Sequence, residues 1–327
     1  MTKLISKVVA AATCIILTCS NSVAEKITFG TYTPDTLSQI VSGDWKMKSQ
    51  EITGELLLPG GSEKVPAVVV VHGSGTVKNL KAWYNELAPA LNKAGIAMFA
   101  IDSYTKRRMG ETSKDQTRLS KAARIADAFS AMEALKKHPR VIPSKIGITG
   151  YSFGGIVSLH ATEKRVSDSF VKDGIVFAAS LPVYPSCMSM WKNPLPTGAP
   201  VLILAGEKDD YTEAKFCIEH VDRMKKAGHN IHIKVYKGAH HGWVKRVSKR
   251  YNSKAWHFNR CGPSYIDDKG YEALLGGKYS MKNLSWKEFI TRAVKACGKR
   301  GTHQGYQKEA HDDTLKSTVS FFTKNLK

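Results

Sequence analysis

The feature that most limits the possible folds is the regular alternation of short apolar runs with longer amphipathic segments. Runs rich in valine and isoleucine predict buried strands at Val65–Val71, Ile96–Ile101, Lys145–Thr149, Gly174–Ala179, Pro200–Ala205 and His232–Tyr236. Apolar residues at helical spacing predict helices at Asn79–Lys93, Arg118–Lys137, Thr212–Ala227 and Lys308–Leu326. This order is typical of an α/β fold with a mostly parallel central sheet and helices on both faces.

Residues Lys245–Arg300 interrupt this alternation. Tryptophan, tyrosine, asparagine and glycine are mixed there without a sustained period, between the last predicted strand and the last predicted helix. We therefore expect an irregular insertion over one edge of the sheet. The sequence shows no internal repeat, which favours one domain over residues 25–327 with the insertion inside it.

The first 24 residues have the pattern of a secretory signal peptide. Two lysines precede an apolar run, and Ser22-Val23-Ala24 is a small-x-small cleavage site. Cleavage after Ala24 predicts a periplasmic or secreted protein. We expect no stable membrane insertion, because no later run approaches the roughly 20 apolar residues that span a bilayer. A lipidated precursor is the alternative, since Cys19 follows Ile16-Leu17-Thr18.

Four cysteines lie beyond this leader, namely Cys187, Cys217, Cys261 and Cys297. An even count in an exported protein favours two disulfides, for which three pairings exist. Cys187 follows a predicted strand and Cys217 lies on a later predicted helix, so both belong near one edge of the sheet. This predicts the pairs Cys187–Cys217 and Cys261–Cys297, the second inside the insertion. A zinc site is the rival, but no two of these cysteines are close in sequence, so we predict no metal.

The chain carries 49 lysines and arginines against 28 acidic residues, a formal net charge of +21. The basic residues are spread along the sequence, and even the cluster Lys245, Arg246, Lys249 and Arg250 is short. No zinc-finger, RNP or helix-turn-helix signature accompanies the charge, so we predict no nucleic-acid partner. A solvated basic face and a field that attracts anionic partners remain the two interpretations.

Gly150-Tyr151-Ser152-Phe153-Gly154 stands between a predicted strand and an apolar helix start. In that context G-x-S-x-G is typical of a nucleophile elbow, where glycines relieve steric conflict around a serine held on a sharp turn. The pattern predicts Ser152 as a nucleophile. A helix-capping serine is the alternative.

A serine nucleophile needs a base, and the base needs a carboxylate that orients it. Gly206-Glu207-Lys208-Asp209-Asp210 ends one predicted strand, and His240-His241 follows the next. The order serine, acid, histidine is that of this class of fold. Spacing alone does not decide between Asp209 and Asp210 as the acid, or between His240 and His241 as the base.

Catalysis also needs backbone amides that bind the developing oxyanion. Phe153, directly after the serine, is the first predicted donor. The glycine-rich loop His72-Gly73-Ser74-Gly75 follows a predicted strand. We predict the Ser74 amide as the second donor, with the Gly73 amide as the next choice. We expect a structural role for His72.

These motifs, with Asp102-Ser103-Tyr104, resemble the α/β-hydrolase superfamily and specifically the dienelactone hydrolase family, over nearly all of the mature sequence. The resemblance implies Asp209 as the acid, because it ends the G-x-x-D motif, and His241 as the base, because it precedes a glycine-aromatic pair. The namesake enzymes carry cysteine as nucleophile and lack the leader and the insertion. Serine at position 152 resembles the general carboxylesterases of the family.

The sequence thus predicts an exported serine hydrolase that cleaves small-molecule carboxylic esters through an acyl-enzyme, with Ser152, Asp209 and His241 and with no cofactor. The alternative is a non-catalytic protein on a hydrolase scaffold that binds an anionic envelope component. Arg107 is expected either to meet a substrate carboxylate or to be a solvated loop residue. The natural substrate and the oligomeric state are left open.

Overall fold

The structure is a computed structural model and describes residues 23–327. Most of the predicted leader, and the alternative lipid site at Cys19, lie outside the described residues. The last two residues of the predicted leader, Val23 and Ala24, open an edge strand and pair with Leu58 and Leu57.

Strands and helices alternate along most of the chain up to Tyr236. The strands are β1 (Val23–Thr31), β2 (Gln50–Leu58), β3 (Val65–Val71), β4 (Ala97–Asp102), β5 (Val141–Tyr151), β6 (Ser180–Val183), β7 (Ser189–Trp191), β8 (Val201–Gly206) and β9 (Ile231–Tyr236). The helices are α1 (Leu37–Ser42), α2 (Lys81–Lys93), α3 (Lys121–Lys136), α4 (Phe153–His160), α5 (Lys164–Phe170) and α6 (Ala214–Lys226). Short 3-10 turns at Val77–Leu80 and Gln116–Arg118 precede α2 and α3.

The central sheet has the strand order β1-β2-β4-β3-β5-β6-β8-β9. From β4 to β9 neighbouring strands are parallel, while β1 and β2 are joined to this core by antiparallel pairing. The predicted fold class, a mostly parallel sheet of the α/β-hydrolase type, is confirmed. The antiparallel strands β1 and β2 were not among the predicted elements.

One predicted strand is wrong. Residues 174–179 begin with a bend and continue as irregular backbone toward the sheet. The strand β6 begins only at Ser180. Gly174 has a φ of +76°, which a continuous strand does not accommodate. The ladder with β5 begins where Ser180 pairs with Ile148, so the apolar run before it leads into the sheet.

The segment 245–300 contains far more regular structure than the mixed sequence predicts. It forms β10 (Arg250–His257), a 3-10 turn (Asn259–Cys261), β11 (Ser264–Ile266), β12 (Glu272–Leu274), β13 (Tyr279–Ser280), α7 (Trp286–Ala296) and, running past the segment, β14 (Lys299–Gln304). Strand β10 pairs with β14, and β11 joins β7 in parallel and β12 in antiparallel fashion. A capping box between Ser285 and Glu288 begins α7. The expectation of an irregular insertion is therefore wrong, because the order comes from pairing with β7 and β14 rather than from local periodicity.

The closing helix α8 (Lys308–Leu326) has the predicted limits. Its apolar side packs with α2 against one face of the sheet, where Val68, Val70 and Phe322 are buried. The opposite face, with Val69 and Val71, packs against α3 and α4. Successive side chains of β3 point to opposite faces of the sheet, and both faces are buried. This explains why β3 is a continuous run of apolar residues.

Candidate active site

Ser152 lies on the sharp turn between β5 and α4. Its backbone has φ +57° and ψ −114°, a conformation that L-residues rarely adopt. A Cβ atom on Gly150 would lie 2.1 Å from the carbonyl oxygen of Gly154, and one on Gly154 would lie 2.1 Å from that of Val71. Both contacts are with backbone, which has little room to move. Glycine at these two positions is therefore what permits the turn.

The structure brings Asp209 and His241 to this serine. His241 Nε2 lies 2.9 Å from Ser152 Oγ, and His241 Nδ1 lies 2.8 Å from Asp209 Oδ2. The carboxylate is fully buried and the imidazole is 4% exposed. The three parallel strands β5, β8 and β9 end at the same edge of the sheet, which explains how residues 89 positions apart in sequence meet. The arrangement is that of a serine, a base and an orienting acid.

The carboxylate of Asp209 is fixed by the turn that follows it. Oδ1 accepts hydrogen bonds from the backbone amides of Tyr211 and Thr212, at 2.9 and 2.8 Å, and Oδ2 accepts one from Thr212 Oγ1 at 3.0 Å. Thr212 Oγ1 also lies 3.2 Å from His241 Nδ1. Thr212 is thus a supporting residue that the sequence analysis missed, although its place three residues after the acid is typical of an Asx-type turn.

The second member of each doublet lies elsewhere. The Asp210 carboxylate accepts a hydrogen bond from the backbone amide of His303 and lies 2.7 Å from its Nδ1. Beside it, Gly305 donates its amide to the His241 carbonyl, and Gln304 forms a bridge with His241. The structure does not bring Asp210 or His240 to Ser152. The end of β14 therefore contacts both the loop with Asp209 and Asp210 and the loop with His240 and His241.

The predicted oxyanion loop lies against the elbow. A Cβ atom on Gly73 would lie 3.0 Å from the Tyr151 carbonyl oxygen and 3.3 Å from Ser152 Cβ. Ser74 is buried in the same loop, and Phe153 is the first residue of α4, where amides lack an intrahelical acceptor. Gly73 thus packs against the serine turn and Phe153 follows Ser152 directly, while the oxyanion role of Phe153, Ser74 and Gly73 stays a prediction.

His72 shapes this loop. Its Nε2 accepts from the Ser103 amide at 3.2 Å, so Nδ1 carries the hydrogen and donates to the carbonyls of Gly73 and Gly75, both at 2.8 Å. Burial, and then the nearby charge of Arg124, lower the pKa of His72 to about 3. The ring is therefore neutral at physiological pH and fits the structural role expected of it.

Arg124, on α3, is a residue that the sequence analysis missed. Its guanidinium donates to the carbonyl oxygens of His72 and Gly73, and it lies 4.9 Å from the centre of the Phe153 ring. The side chain is 1% exposed, and no carboxylate within residues 23–327 forms an ion pair with it. A buried cation without a counter-ion is costly, so its carbonyl contacts indicate a role in holding the oxyanion loop. On a helical wheel Arg124 lies away from the apolar face of the predicted helix, so the sequence carried no signal for its burial.

Arg107 differs from both expectations made for it. The side chain is 6% exposed and forms two hydrogen bonds of 2.8 Å with the fully buried carboxylate of Asp127. It is neither a solvated loop residue nor open to a substrate carboxylate, because its charge is already paired. The reason is that Asp127 lies on α3, one turn after Arg124, and faces the loop that carries Arg107.

Two pockets adjoin Ser152. The first, here called the apolar pocket, encloses about 900 Å³, partly open to solvent, and its walls include Phe153, Met188, Leu274, Trp286, Phe289 and Ile290. The second, the polar pocket, encloses about 640 Å³ and its walls include Asn79, Glu111, His241, Lys245, Arg250 and Asn252. Ser74, Ser152 and Tyr211 line both pockets. The insertion provides most of the apolar walls.

The basic cluster of the insertion is not one uniform surface. Arg246 pairs with Glu86, at 2.7 Å from Nε. Lys245 lines the polar pocket, and burial, with the charge of Arg250, lowers the pKa of its ammonium group. Part of the positive charge is thus directed into the candidate site rather than into a solvated face.

Both predicted disulfides are present. Cys187 and Cys217 join the segment after β6 to α6, with Cα atoms 4.8 Å apart, and Cys261 and Cys297 join the 3-10 turn to the end of α7, at 5.0 Å. The first disulfide lies beside the acid loop. The second closes the insertion over the apolar pocket, whose lining includes Cys261.

Residues 23–327 offer neither a cluster of metal ligands nor a membrane-spanning helix. Within that range, no group of three or more His, Cys, Asp or Glu side chains is placed to hold a metal ion. The same range contains no helix that combines the length and the apolar character needed to cross a bilayer.

Comparison with known proteins gives a consistent result. The model of the dienelactone hydrolase family matches residues 52–259. A protein from a Bradyrhizobium species, named "Probable 2-oxo-3-(5-oxofuran-2-ylidene)propanoate lactonase", is 23% identical over 209 residues, which cover 60% of this chain and 80% of that protein. Esterase EstD from Thermotoga maritima is 30% identical over 126 residues, or 37% of this chain and 29% of the esterase.

A solved structure supports the fold over a longer range. The dienelactone hydrolase-like promiscuous phosphotriesterase P91, from metagenomic libraries, superposes with a TM-score of 0.56 at 15% identity, covering 94% of this chain and 99% of that one. The family match ends at residue 259, so most of the insertion lies beyond it.

Proposed function

Because the chain belongs to the dienelactone hydrolase family, which supports ester hydrolysis as its activity, we propose that it is an exported serine hydrolase that cleaves carboxylic esters through an acyl-enzyme. Ser152 is the nucleophile, His241 the base and Asp209 the acid that orients it. The observation that carries this proposal is the continuous contact from Asp209 Oδ2 through His241 to Ser152 Oγ, at 2.8 and 2.9 Å.

The chemistry follows from this contact. His241 Nε2 takes the proton of Ser152 Oγ as the oxygen bonds to the ester carbonyl carbon, and the resulting oxyanion is bound by the amides of Phe153 and Ser74, with Gly73 as the alternative donor. The carbon–oxygen bond to the alcohol then breaks, and His241 returns the proton to the leaving alcohol. Water, activated by the same imidazole, attacks the acyl-enzyme and releases the acid.

Export is proposed on two grounds. Residues 1–24 have the composition of a cleavable leader, and residues 25–327 would form the mature hydrolase domain. The two disulfides are consistent with an oxidising compartment, either the periplasm or the medium.

The proposal is tested with p-nitrophenyl acetate and the Ser152→Ala variant. We expect kcat/KM to fall by about 10⁴-fold or more, as in other enzymes that lose a triad member. Asp209→Asn should lose far more activity than its matched control Asp210→Asn, because only Asp209 fixes the tautomer of the imidazole. His241→Ala and His240→Ala form the second pair.

Two outcomes would reject the assignment. Equal losses in Asp209→Asn and Asp210→Asn would show that the acid is not specifically Asp209. A wild-type protein that hydrolyses no ester of a broad panel and is not labelled by a fluorophosphonate would instead favour the binding protein for anionic envelope components.

A further inference from the structure

The two pockets beside Ser152 differ in a way that assigns the two halves of the ester, provided that the proposed function holds. The walls of the polar pocket include His241, whereas the lining of the apolar pocket, drawn from residues 23–327, does not. The imidazole that takes the proton from Ser152 must also deliver it to the departing alcohol. The alcohol must therefore leave on the side of the polar pocket.

The acyl group stays bonded to Ser152 while the alcohol departs, so it needs the other side. That side is the apolar pocket, with Phe153 and Trp286 in edge-to-face contact, their ring centres 6.5 Å apart, and Phe289 and Ile290 beside them. A wall of this kind gains free energy when it covers methylene or aromatic surface.

Four polar residues of the same pocket are bonded to one another, whereas two buried atoms of its lining, His257 Nδ1 and Asn259 Oδ1, have no hydrogen-bond partner within residues 23–327. Lys121 Nζ lies 2.6 Å from Glu272 Oε2 and 2.5 Å from Ser189 Oγ, while Glu272 Oε1 accepts from Ser189 and Ser264 at 2.8 and 2.5 Å. The charge of Lys121 lowers the pKa of Glu272 in spite of its burial. The pair is neutral overall, so it offers no net charge to an ionic acyl tail.

We propose that the substrates are esters of a bulky apolar carboxylic acid with a polar alcohol, and that Phe289 and Ile290 of the insertion set the size of the acyl group. The apolar pocket, whose volume of about 900 Å³ includes space open to solvent, admits a medium-length alkyl chain or an aryl ring along its apolar walls. The polar pocket, with Lys245, Arg250 and Asn252, receives the alcohol.

The test compares two series of esters with the full-length mature protein. In the first series the leaving group is constant, as p-nitrophenyl acetate, butyrate, hexanoate and phenylacetate. In the second the acyl group is constant, as methyl, butyl and hexyl acetate, followed by proton release. Full burial of one methylene corresponds to about a fourfold gain in kcat/KM, so we expect at least about a 30-fold rise from acetate to hexanoate. The acetate series should vary by less than about threefold.

Variants of the insertion locate the effect. Ile290→Trp should abolish the advantage of hexanoate, measured as the ratio of kcat/KM for p-nitrophenyl hexanoate to kcat/KM for p-nitrophenyl acetate. Lys295→Trp, at an exposed position of the same helix, is the matched control and should retain the full advantage. Phe289→Ala, which enlarges the pocket, should shift the preference toward longer acyl chains. This second variant tests the proposal even if Ile290→Trp does not fold.

The outcomes separate this inference from the proposed function. If rates rise with the alcohol and not with the acyl chain, or if neither series depends on length while Ser152→Ala is inactive, the assignment of the pockets is wrong and the hydrolase remains. If Ser152→Ala hydrolyses p-nitrophenyl acetate at the wild-type rate, the proposed function itself fails.

Discussion

The turn that carries Ser152 and the insertion at residues 245–300 both form the candidate site, yet they are held in place by different means. The turn is fixed by close backbone packing, since a Cβ atom on Gly150 would meet Gly154 and one on Gly154 would meet Val71 of β3. The insertion is held by strand pairing with β7, by the Cys261–Cys297 disulfide and by the Lys121–Glu272 ion pair.

This difference separates what the two regions do. Close backbone packing positions one atom accurately, which is what a nucleophile needs. Strand pairing, a disulfide and an ion pair leave the composition of the pocket walls free to vary, which suits a region that selects substrates. Changes in the turn should therefore affect every ester, whereas changes in the insertion should affect only some.

Apart from substitutions of Ser152, Asp209 and His241, the largest effect is expected from Gly154→Ala. The added methyl group would lie 2.1 Å from the Val71 carbonyl oxygen, so β3 and the turn must separate. We expect kcat/KM to fall by about 100-fold or more for all esters and the free energy of unfolding to fall by about 3 kcal/mol. Gly30→Ala on β1, where a Cβ atom meets nothing within 4 Å, is the control. A loss confined to long acyl chains would contradict the comparison.

Removal of the Cys261–Cys297 disulfide should come next. The closed loop spans 36 positions, for which chain entropy predicts about 3–4 kcal/mol. In the double Cys→Ser variant we expect new proteolytic cleavage within residues 245–300 and loss of the hexanoate preference, with acetate hydrolysis retained. The matched double variant at Cys187 and Cys217, beside the acid loop, should slow all esters. Equal loss of acetate and hexanoate hydrolysis at the insertion would show that the two regions are not separable.

The smallest effect is expected from Arg124→Met. Without the guanidinium, the carbonyls of His72 and Gly73 lose a buried donor and the oxyanion loop is held less firmly. We expect kcat on p-nitrophenyl acetate to fall about tenfold with KM within about twofold, because the oxyanion exists only along the reaction path. Arg118→Met, at an exposed position, is the control. A higher KM with unchanged kcat would assign Arg124 to substrate binding instead.

The same contrast explains how far sequence could predict the molecule. The strand Val65–Val71 and the helix Lys308–Leu326 were predicted within their limits, because burial on a sheet and periodicity on a helix are local patterns. The helix Trp286–Ala296 was missed, because its apolar positions occupy only three turns within a mixed segment. The apolar run at residues 174–179 was misread as a strand, because only the register with β5 defines where pairing starts.

Within the candidate site, residues in motifs were found and residues that act through space were not. Spacing found both doublets, and the family resemblance selected Asp209 and His241, the two members that contact each other. Arg124 and Lys121 lie one turn apart on α3, and neither has a neighbour in sequence that indicates what it contacts. Arg107 was misjudged for the same reason, since its partner Asp127 is 20 positions away.

The contact between the end of β14 and the two doublets has a kinetic consequence. Asp210 binds His303, and the amide of Gly305 is hydrogen-bonded to His241, so β14, which pairs with β10 of the insertion, is joined to the loops that carry Asp209 and His241. Movement of β14 would therefore also displace these two loops. A change that loosens β14 should thus slow the hydrolysis of every ester, in contrast to a change in the walls of the apolar pocket.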